Sequence, residues 1–230
     1  MSRSHLENAL ASRIVEIRQQ LPTSVRLIAV TKQVSVDLIR SAYDAGIRDF
    51  GESRLQEVEA KQSQLVDLPD ITWHLIGHLQ SNKTKKALEH FQWIHSLDSL
   101  KLAQQLDRLA GSLDKKPHVC LQVKLLPDPN KYGWAVDELF ADLPKLNECQ
   151  NIQIQGLMTI PPLGLTDVEI LTLFQQTREL AQNIQQQNWS NIRMQDLSMG
   201  MSDDYQLAVQ AGATMVRLGT ILFGARNYPE

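Results

Sequence analysis

The chain has 230 residues, of which 43% are hydrophobic and 21% are charged, so it can build a sizeable core as one domain. Its net charge of −3 and pI near 6.1 argue against a protein that binds nucleic acid through phosphate contacts. No apolar signal segment or membrane-length run is present, and two cysteines, Cys120 and Cys149, are too few for a zinc site or a disulfide framework, so we expect a cytoplasmic protein with no membrane partner.

The first half of the chain predicts helices and strands in alternation. Apolar residues at three- and four-residue steps from Leu6 to Leu21 predict an amphipathic helix that Pro22 ends. The almost wholly apolar run Val25–Val30 is typical of a strand buried on both faces in a parallel sheet. Further strands are predicted at 47–51, 72–77 and 93–97, with helices between them.

The second half repeats this rhythm, with strands predicted at 118–126, 152–158, a short one before Leu197, and 214–219. Thr166 and Glu169 predict a capping box on a long helix, and Ser202 or Asp203 can start a helix that Gly212 ends. About eight β-α units predict an α/β fold, a (β/α)8 TIM barrel, as one domain over residues 1–230 with an extra N-terminal helix. A doubly wound sheet is the alternative, because periodicity does not show whether the sheet closes.

Lys32 follows the first strand at its carboxyl end, where α/β sheets and barrels bind ligands. A desolvated lysine amine held on a rigid element is a candidate Schiff-base former. The alternative is a lysine that merely leaves the barrel mouth and reaches water.

Two glycine-bearing turns, at 198–202 and 217–220, follow the last two predicted strands. Barrels frequently hold a phosphate on these loops, where glycine lets the backbone approach and Ser198 and Thr220 add hydroxyl donors. The alternative is that the glycines only turn the chain and the hydroxyls cap helices. A phosphate site and an amine in one barrel mouth together suggest pyridoxal 5′-phosphate (PLP), whose aldehyde condenses with lysine.

Several motifs spread over almost the whole chain carry a resemblance. They are Leu27–Lys32, Phe50–Glu52 with Gln56–Glu57, Trp73–Gly77 with Leu79–Lys83, Gly156–Met158, Leu197–Asp204, and Met215–Thr220 with Phe223–Ala225. With them the chain resembles the YggS/PROSC family, the pyridoxal phosphate homeostasis proteins, and the Ser-Met-Gly-Met turn is the most specific piece. The resemblance implies a fold-type III barrel like the N-terminal domain of alanine racemase.

The resemblance also implies roles for individual residues. Lys32 would be the Schiff-base lysine, and Arg217 would face the pyridine nitrogen, where its charge disfavours a pyridinium and leaves a poor electron sink. The residues implied to bind the cofactor are Lys32, Ser198, Met199, Gly200, Arg217, Gly219 and Thr220. No catalytic residue and no metal ligand is implied.

The chain departs from the related patterns at two positions and in one domain. Ser53 stands where the family commonly has asparagine, and Val36 stands where the racemase has a tyrosine that reaches the phosphate. We expect no counterpart of the C-terminal domain that supplies the racemase with a tyrosine base, whereas racemisation needs acids and bases on both faces of the carbon.

Three functions remain open on this basis. The first is a PLP carrier and regulator with little or no catalysis, which serves PLP homeostasis and amino-acid and keto-acid balance. The second is a single-domain PLP-dependent racemase or lyase, and the third is an interaction module that the cofactor only stabilises. Candidate protein partners are PLP-dependent apoenzymes or a regulatory protein, and we expect a monomer.

Three other polar features have ordinary interpretations. His74 is expected to be a buried core histidine, whereas His78 lies near enough to a strand end to approach a cofactor. Lys83, Lys85 and Lys86 are expected on a solvated helix face that could attract an anion or an acidic partner.

Overall fold

A computed structural model describes residues 3–128 and 131–224 of the chain. Eight parallel strands close into a barrel in chain order, and the last strand pairs with the first. The strands are β1 (Arg26–Val30), β2 (Asp49–Glu52), β3 (Thr72–Leu75), β4 (Trp93–Leu97), β5 (His118–Gln122), β6 (Gln153–Met158), β7 (Ile192–Ser198) and β8 (Met215–Leu218). The predicted (β/α)8 barrel is therefore confirmed, and the doubly wound alternative is wrong because the sheet has no free edge.

Helices cover the outside of the barrel, and the predicted N-terminal helix is present. They are α1 (Arg3–Gln20), α2 (Val36–Asp44), α3 (Leu55–Gln62), α4 (Thr84–His90), α5 (Leu100–Ser112), α6 (Val136–Leu146), α7 (Asp167–Gln186), α8 (Tyr205–Gln210) and α9 (Thr220–Phe223). The capping box is confirmed, since Thr166 Oγ1 accepts from the Glu169 N–H and the Glu169 carboxylate accepts from the Thr166 N–H.

Some boundaries differ from the sequence prediction. A 3₁₀ turn, Ser81–Lys83, precedes α4, and β7 is seven residues long rather than short. Helix α8 begins at Tyr205, later than predicted, because the Asp204 carboxylate accepts from the Met201 N–H at 2.6 Å and closes a turn before the helix. The motif ending at Ala225 lies partly outside the described residues.

Two apolar layers hold the barrel together. The larger packs the helices onto the outside of the strands, and a smaller cluster fills the interior with Ile28, Trp93, Cys120, Met158 and Met215. Polar side chains are also buried inside, among them His74, His95, Ser198 and Arg217. An interior that is not wholly apolar must satisfy these groups with hydrogen bonds.

Two further observations bear on the expectations from composition. Cys120 and Cys149 are both buried and free. Within the described ranges, no helix combines the length and the apolar character required of a bilayer span.

Candidate functional site

Lys32 lies two residues beyond β1 and is half-buried. Because β1 pairs with β8 through Ala29 and Leu218, the residues that follow both strands lie on the same rim of the barrel. Closure of the barrel therefore places Lys32 beside Gly219 and Thr220, which are remote from it in sequence. Among the described residues, the Lys32 side chain has no hydrogen bond or ion pair that would occupy its amine.

The backbone on either side of Lys32 is held by side chains of α3. Lys61 Nζ donates to the Thr31 carbonyl oxygen at 2.7 Å, and Glu57 Oε2 accepts from the Gln33 N–H at 2.7 Å. Gln33 has a φ of 59°, a left-handed conformation that a side chain adopts at a cost. These contacts fix the turn that carries Lys32 and leave its amine free.

Lys61 also belongs to a buried ion pair with Glu52. Glu52 is fully buried, and its Oε1 accepts from Lys61 Nζ at 2.7 Å and from Thr31 Oγ1 at 2.6 Å, whereas its Oε2 has no hydrogen-bond partner among the residues that the structure describes. Burial raises the pKa of Glu52, although the hydrogen bonds from Lys61 and Thr31 work against that rise. This pair joins β2 to α3, and no local sequence pattern predicts it.

The turn after β7 is built around Gly200. Its φ is +94°, and a Cβ at this position would lie 2.6 Å from the Ala208 Cβ, so only glycine fits. The Gly200 carbonyl accepts from the Arg217 N–H at 2.9 Å, which joins this turn to β8. Met199 is fully buried and bonds through its N–H to the Met215 carbonyl.

The turn after β8 points two backbone amides at one oxygen. The Ser202 hydroxyl accepts from the N–H groups of Gly219 and Ile221, each at 3.3 Å, and Thr220 between them is exposed. Amides that converge in this way suit an anionic oxygen. From the sequence Ser202 is predicted only as a possible helix start, although it lies in the glycine-bearing turn at 198–202.

Ser198 and Arg217 lie inside the barrel. The Arg217 guanidinium donates to Ser198 Oγ at 2.6 Å and to the Thr159 carbonyl at 3.0 Å, and Ser198 is fully buried. Burial lowers the pKa of Arg217 to about 10, which still leaves it charged at neutral pH. The Ser198 hydroxyl is thus engaged with protein groups, and its contact with a phosphate remains a prediction.

Other side chains line the rim on its far side. His78 Nδ1 lies 2.9 Å from Asp98 Oδ2, and the His78 ring stacks on Tyr132 at 3.6 Å. A cavity of about 220 Å³ opens beside this pair, and Ser53 and Lys83 are among its lining residues.

The lysine cluster at 83–86 is not uniformly solvated. Lys85 and Lys86 are exposed as expected, and Lys86 pairs with Glu59 at 2.9 Å, whereas Lys83 is half-buried. Within the described ranges, no three histidine, cysteine, aspartate or glutamate residues lie together in a way that could hold a metal ion.

Comparison with known proteins places this chain in a family. The family described as "Alanine racemase, N-terminal domain" matches residues 7–227. The pyridoxal phosphate homeostasis protein of Synechocystis is 54% identical over 211 residues, which cover 92% of this chain and 96% of that one.

Solved structures agree with these matches. The structure of PipY from Synechococcus elongatus with PLP bound superposes with a TM-score of 0.90 at 56% identity, covering 94% of this chain and all of that one. An alanine racemase from Clostridium difficile shares the fold, with a TM-score of 0.78 at 14% identity over 97% of this chain and 58% of the racemase.

The barrel and its rim thus define a protein of the alanine racemase N-terminal domain class. Within that class, the chain belongs to the family of pyridoxal phosphate homeostasis proteins.

Proposed function

We propose that this protein binds PLP through Lys32 and serves intracellular PLP homeostasis, without appreciable catalysis of its own. The observation that carries the proposal is the unpaired, half-buried Lys32 amine, held on a clamped turn at the rim where the Gly219 and Ile221 amides converge. When bound, PLP supplies an aldehyde that condenses reversibly with an amine, so the cofactor can be both held and released.

The residues present fit the phosphate end of this cofactor. The amides of Gly219 and Ile221 already accommodate one oxygen, that of Ser202, and the exposed Thr220 hydroxyl lies beside them. Gly200 keeps the neighbouring turn close without a side chain in the way. Among the family's implied ligands, Ser198 and Met199 contribute in our proposal mainly by supporting Arg217 and the turn.

The buried guanidinium of Arg217 fits the pyridine end. It is a donor only, so it can orient a ring nitrogen but cannot share a proton with it as a carboxylate would. Its charge disfavours a pyridinium, which limits carbanion chemistry on the substrate side. This supports a homeostasis role over a racemase or lyase role.

The proposal extends to location and partners. We propose a cytoplasmic monomer that passes its cofactor to PLP-dependent apoenzymes or to a regulatory protein, in support of amino-acid and keto-acid balance. Light scattering of the purified protein tests the monomer. Loss of cofactor absorbance on mixing with a PLP-dependent apoenzyme, matched by recovery of that enzyme's activity, tests the transfer.

The decisive experiment is chemical labelling. Protein incubated with PLP should turn yellow, and borohydride reduction followed by peptide mapping should place the cofactor on Lys32. Lys32→Ala should abolish the absorbance, whereas Lys83→Ala, which removes a lysine from the adjoining cavity, should not. A colourless wild type, or label on another lysine, would overturn the proposal.

The non-catalytic part of the proposal has its own test. Loaded protein is incubated with L-alanine or L-serine, and the D-enantiomer is measured. Sustained turnover would establish the racemase alternative, and its absence at high protein concentration is the expected result.

A further inference from the structure

A continuous chain of polar side chains crosses the barrel interior, from the amino-terminal face to the rim where Lys32 lies. Asp49, the first residue of β2, accepts at 2.9 Å from His74 Nε2, and His74 Nδ1 lies 2.9 Å from His95 Nε2. His95 Nδ1 lies 2.7 Å from Ser198 Oγ, which accepts from Arg217 at 2.6 Å. We call these five residues the polar column.

The polar column has one consistent direction of hydrogen bonds. Both imidazoles are fully buried, and burial lowers the pKa of His74 and holds that of His95 well below its usual value, so each ring is neutral with one donor and one acceptor. An ionised Asp49 can only accept, so His74 carries its proton on Nε2. His74 Nδ1 must then accept from His95 Nε2, and His95 Nδ1 accepts from the Ser198 hydroxyl.

The direction of the hydrogen bonds determines how strongly the Ser198 oxygen accepts from Arg217. Because its hydroxyl proton points to His95, the Ser198 oxygen presents a lone pair to the guanidinium. If the direction were reversed, Ser198 Oγ would still accept from Arg217, because a hydroxyl oxygen has two lone pairs, but it would also accept from His95 and donate to neither, which makes it a weaker acceptor for the buried guanidinium. The strength of the hydrogen bond that Arg217 donates to Ser198 thus depends on a carboxylate at the opposite face of the barrel.

Other charged or titratable groups near the polar column do not supply this acceptor. At the amino-terminal face, Arg26 lies 3.8 Å from Asp49 and its guanidinium covers the Trp93 ring. His118 and Asp196 are also near that face, and Asp204 acts on Arg217 through space without a hydrogen bond to the column.

We propose that Asp49 is a positioning residue for Arg217, acting through His74, His95 and Ser198 to fix the direction of the hydrogen bonds that meet the guanidinium. The effect on bound PLP rests on the proposed function, whereas the direction of the polar column does not.

The first test uses protein without cofactor. Nitrogen-15 NMR of the histidine side chains should show His74 and His95 as single tautomers, each protonated on Nε2. In Asp49→Asn, which keeps the shape but can donate or accept, both rings should show mixed tautomers. Asp70→Asn is the matched control, because Asp70 is exposed, bonds Arg48 and Tyr43, and lies off the column. A wild-type His95 protonated on Nδ1 would overturn the proposal without any variant.

The second test uses loaded protein. In Asp49→Asn the Ser198 hydroxyl is no longer held with its proton towards His95, so it accepts less strongly from Arg217. The Arg217 charge is then less compensated, which disfavours a protonated cofactor nearby. The pH midpoint of the cofactor absorbance should therefore fall by about 0.5 to 1 pH unit in Asp49→Asn. Ser198→Ala should give a similar shift, the double variant should add little, and Asp70→Asn should leave the midpoint in place. Equal shifts in Asp49→Asn and Asp70→Asn would overturn the proposal.

The two tests fail in different ways. If the wild type stays colourless with PLP, the proposed function is wrong, and the NMR result alone tests the direction of hydrogen bonds in the polar column. If the wild type turns yellow but its histidines have other tautomers, only the proposed role of Asp49 is wrong.

Discussion

Lys61 Nζ donates a hydrogen bond of 2.7 Å to the carbonyl oxygen of Thr31. The two residues are 30 positions apart, and this bond joins the inner side of α3 to the turn that carries Lys32. The same ammonium neutralises Glu52, so one buried charge serves both the stability of the layer outside the barrel and the geometry of the rim.

We expect Lys61→Met to destabilise the protein by about 3–5 kcal/mol, because it leaves Glu52 buried without its partner. Urea unfolding of the cofactor-free protein measures the change. Adding Glu52→Gln to the variant should recover part of the loss, and Lys101→Met, at an exposed site, should change little. If Lys61→Met alone is as stable as the wild type, Glu52 is already neutral in the folded protein.

We expect Ser202→Ala to weaken PLP retention by about 1–3 kcal/mol, typical of a lost hydrogen bond to a charged group. The dissociation constant is measured from the cofactor absorbance, with Ser112→Ala as the control. Binding of pyridoxal, which lacks the phosphate, should be unaffected. If Ser198→Ala instead shows the phosphate-specific loss, the phosphate contacts Ser198 as the family resemblance implies.

Gly200→Ala should destabilise the protein by more than about 1 kcal/mol and weaken PLP retention, since the new methyl meets Ala208 in a left-handed backbone. Gly164→Ala is a matched control, because Gly164 has a φ of +86° but nothing within 4 Å of its Cβ position. The difference between the two variants in the loss of unfolding free energy measures the steric cost of the contact with Ala208. Equal losses would mean that close packing of the turn contributes nothing.

We expect stability to fall as the pH drops below about 6.5, the ordinary pKa of histidine. Burial lowers the folded-state pKa of His74 and His95, so the unfolded chain binds protons that the folded chain does not. Each histidine adds a slope of up to about 1.4 kcal/mol per pH unit. Glu52 acts in the opposite sense, because burial raises its pKa.

A variant separates these contributions. His95→Asn should be less stable than wild type near neutral pH but should lose stability less steeply on acidification, as followed by urea unfolding at several pH values. An unchanged slope would show that His95 does not carry the acid dependence.

Much of the fold was predictable because its signals are local. The eight-fold rhythm, the Thr166 capping box and the Lys32 position all depend on residues a few positions apart, whose periodicity or capping chemistry can be read directly. Boundaries were less predictable, as at α8, because a turn closed by Asp204 competes with the start of the helix.

The sequence by itself determined the element order, the strand-end lysine and the glycine turns that mark the rim. Only the tertiary structure decided that the sheet closes and brings β1 to β8, that Ser202 rather than Ser198 meets the converging amides, and that His95 contacts Ser198, 103 residues away. The physical reason is that such contacts depend on which side chains point into the barrel and on its closure, and these are properties of the packed sheet rather than of any short stretch of chain.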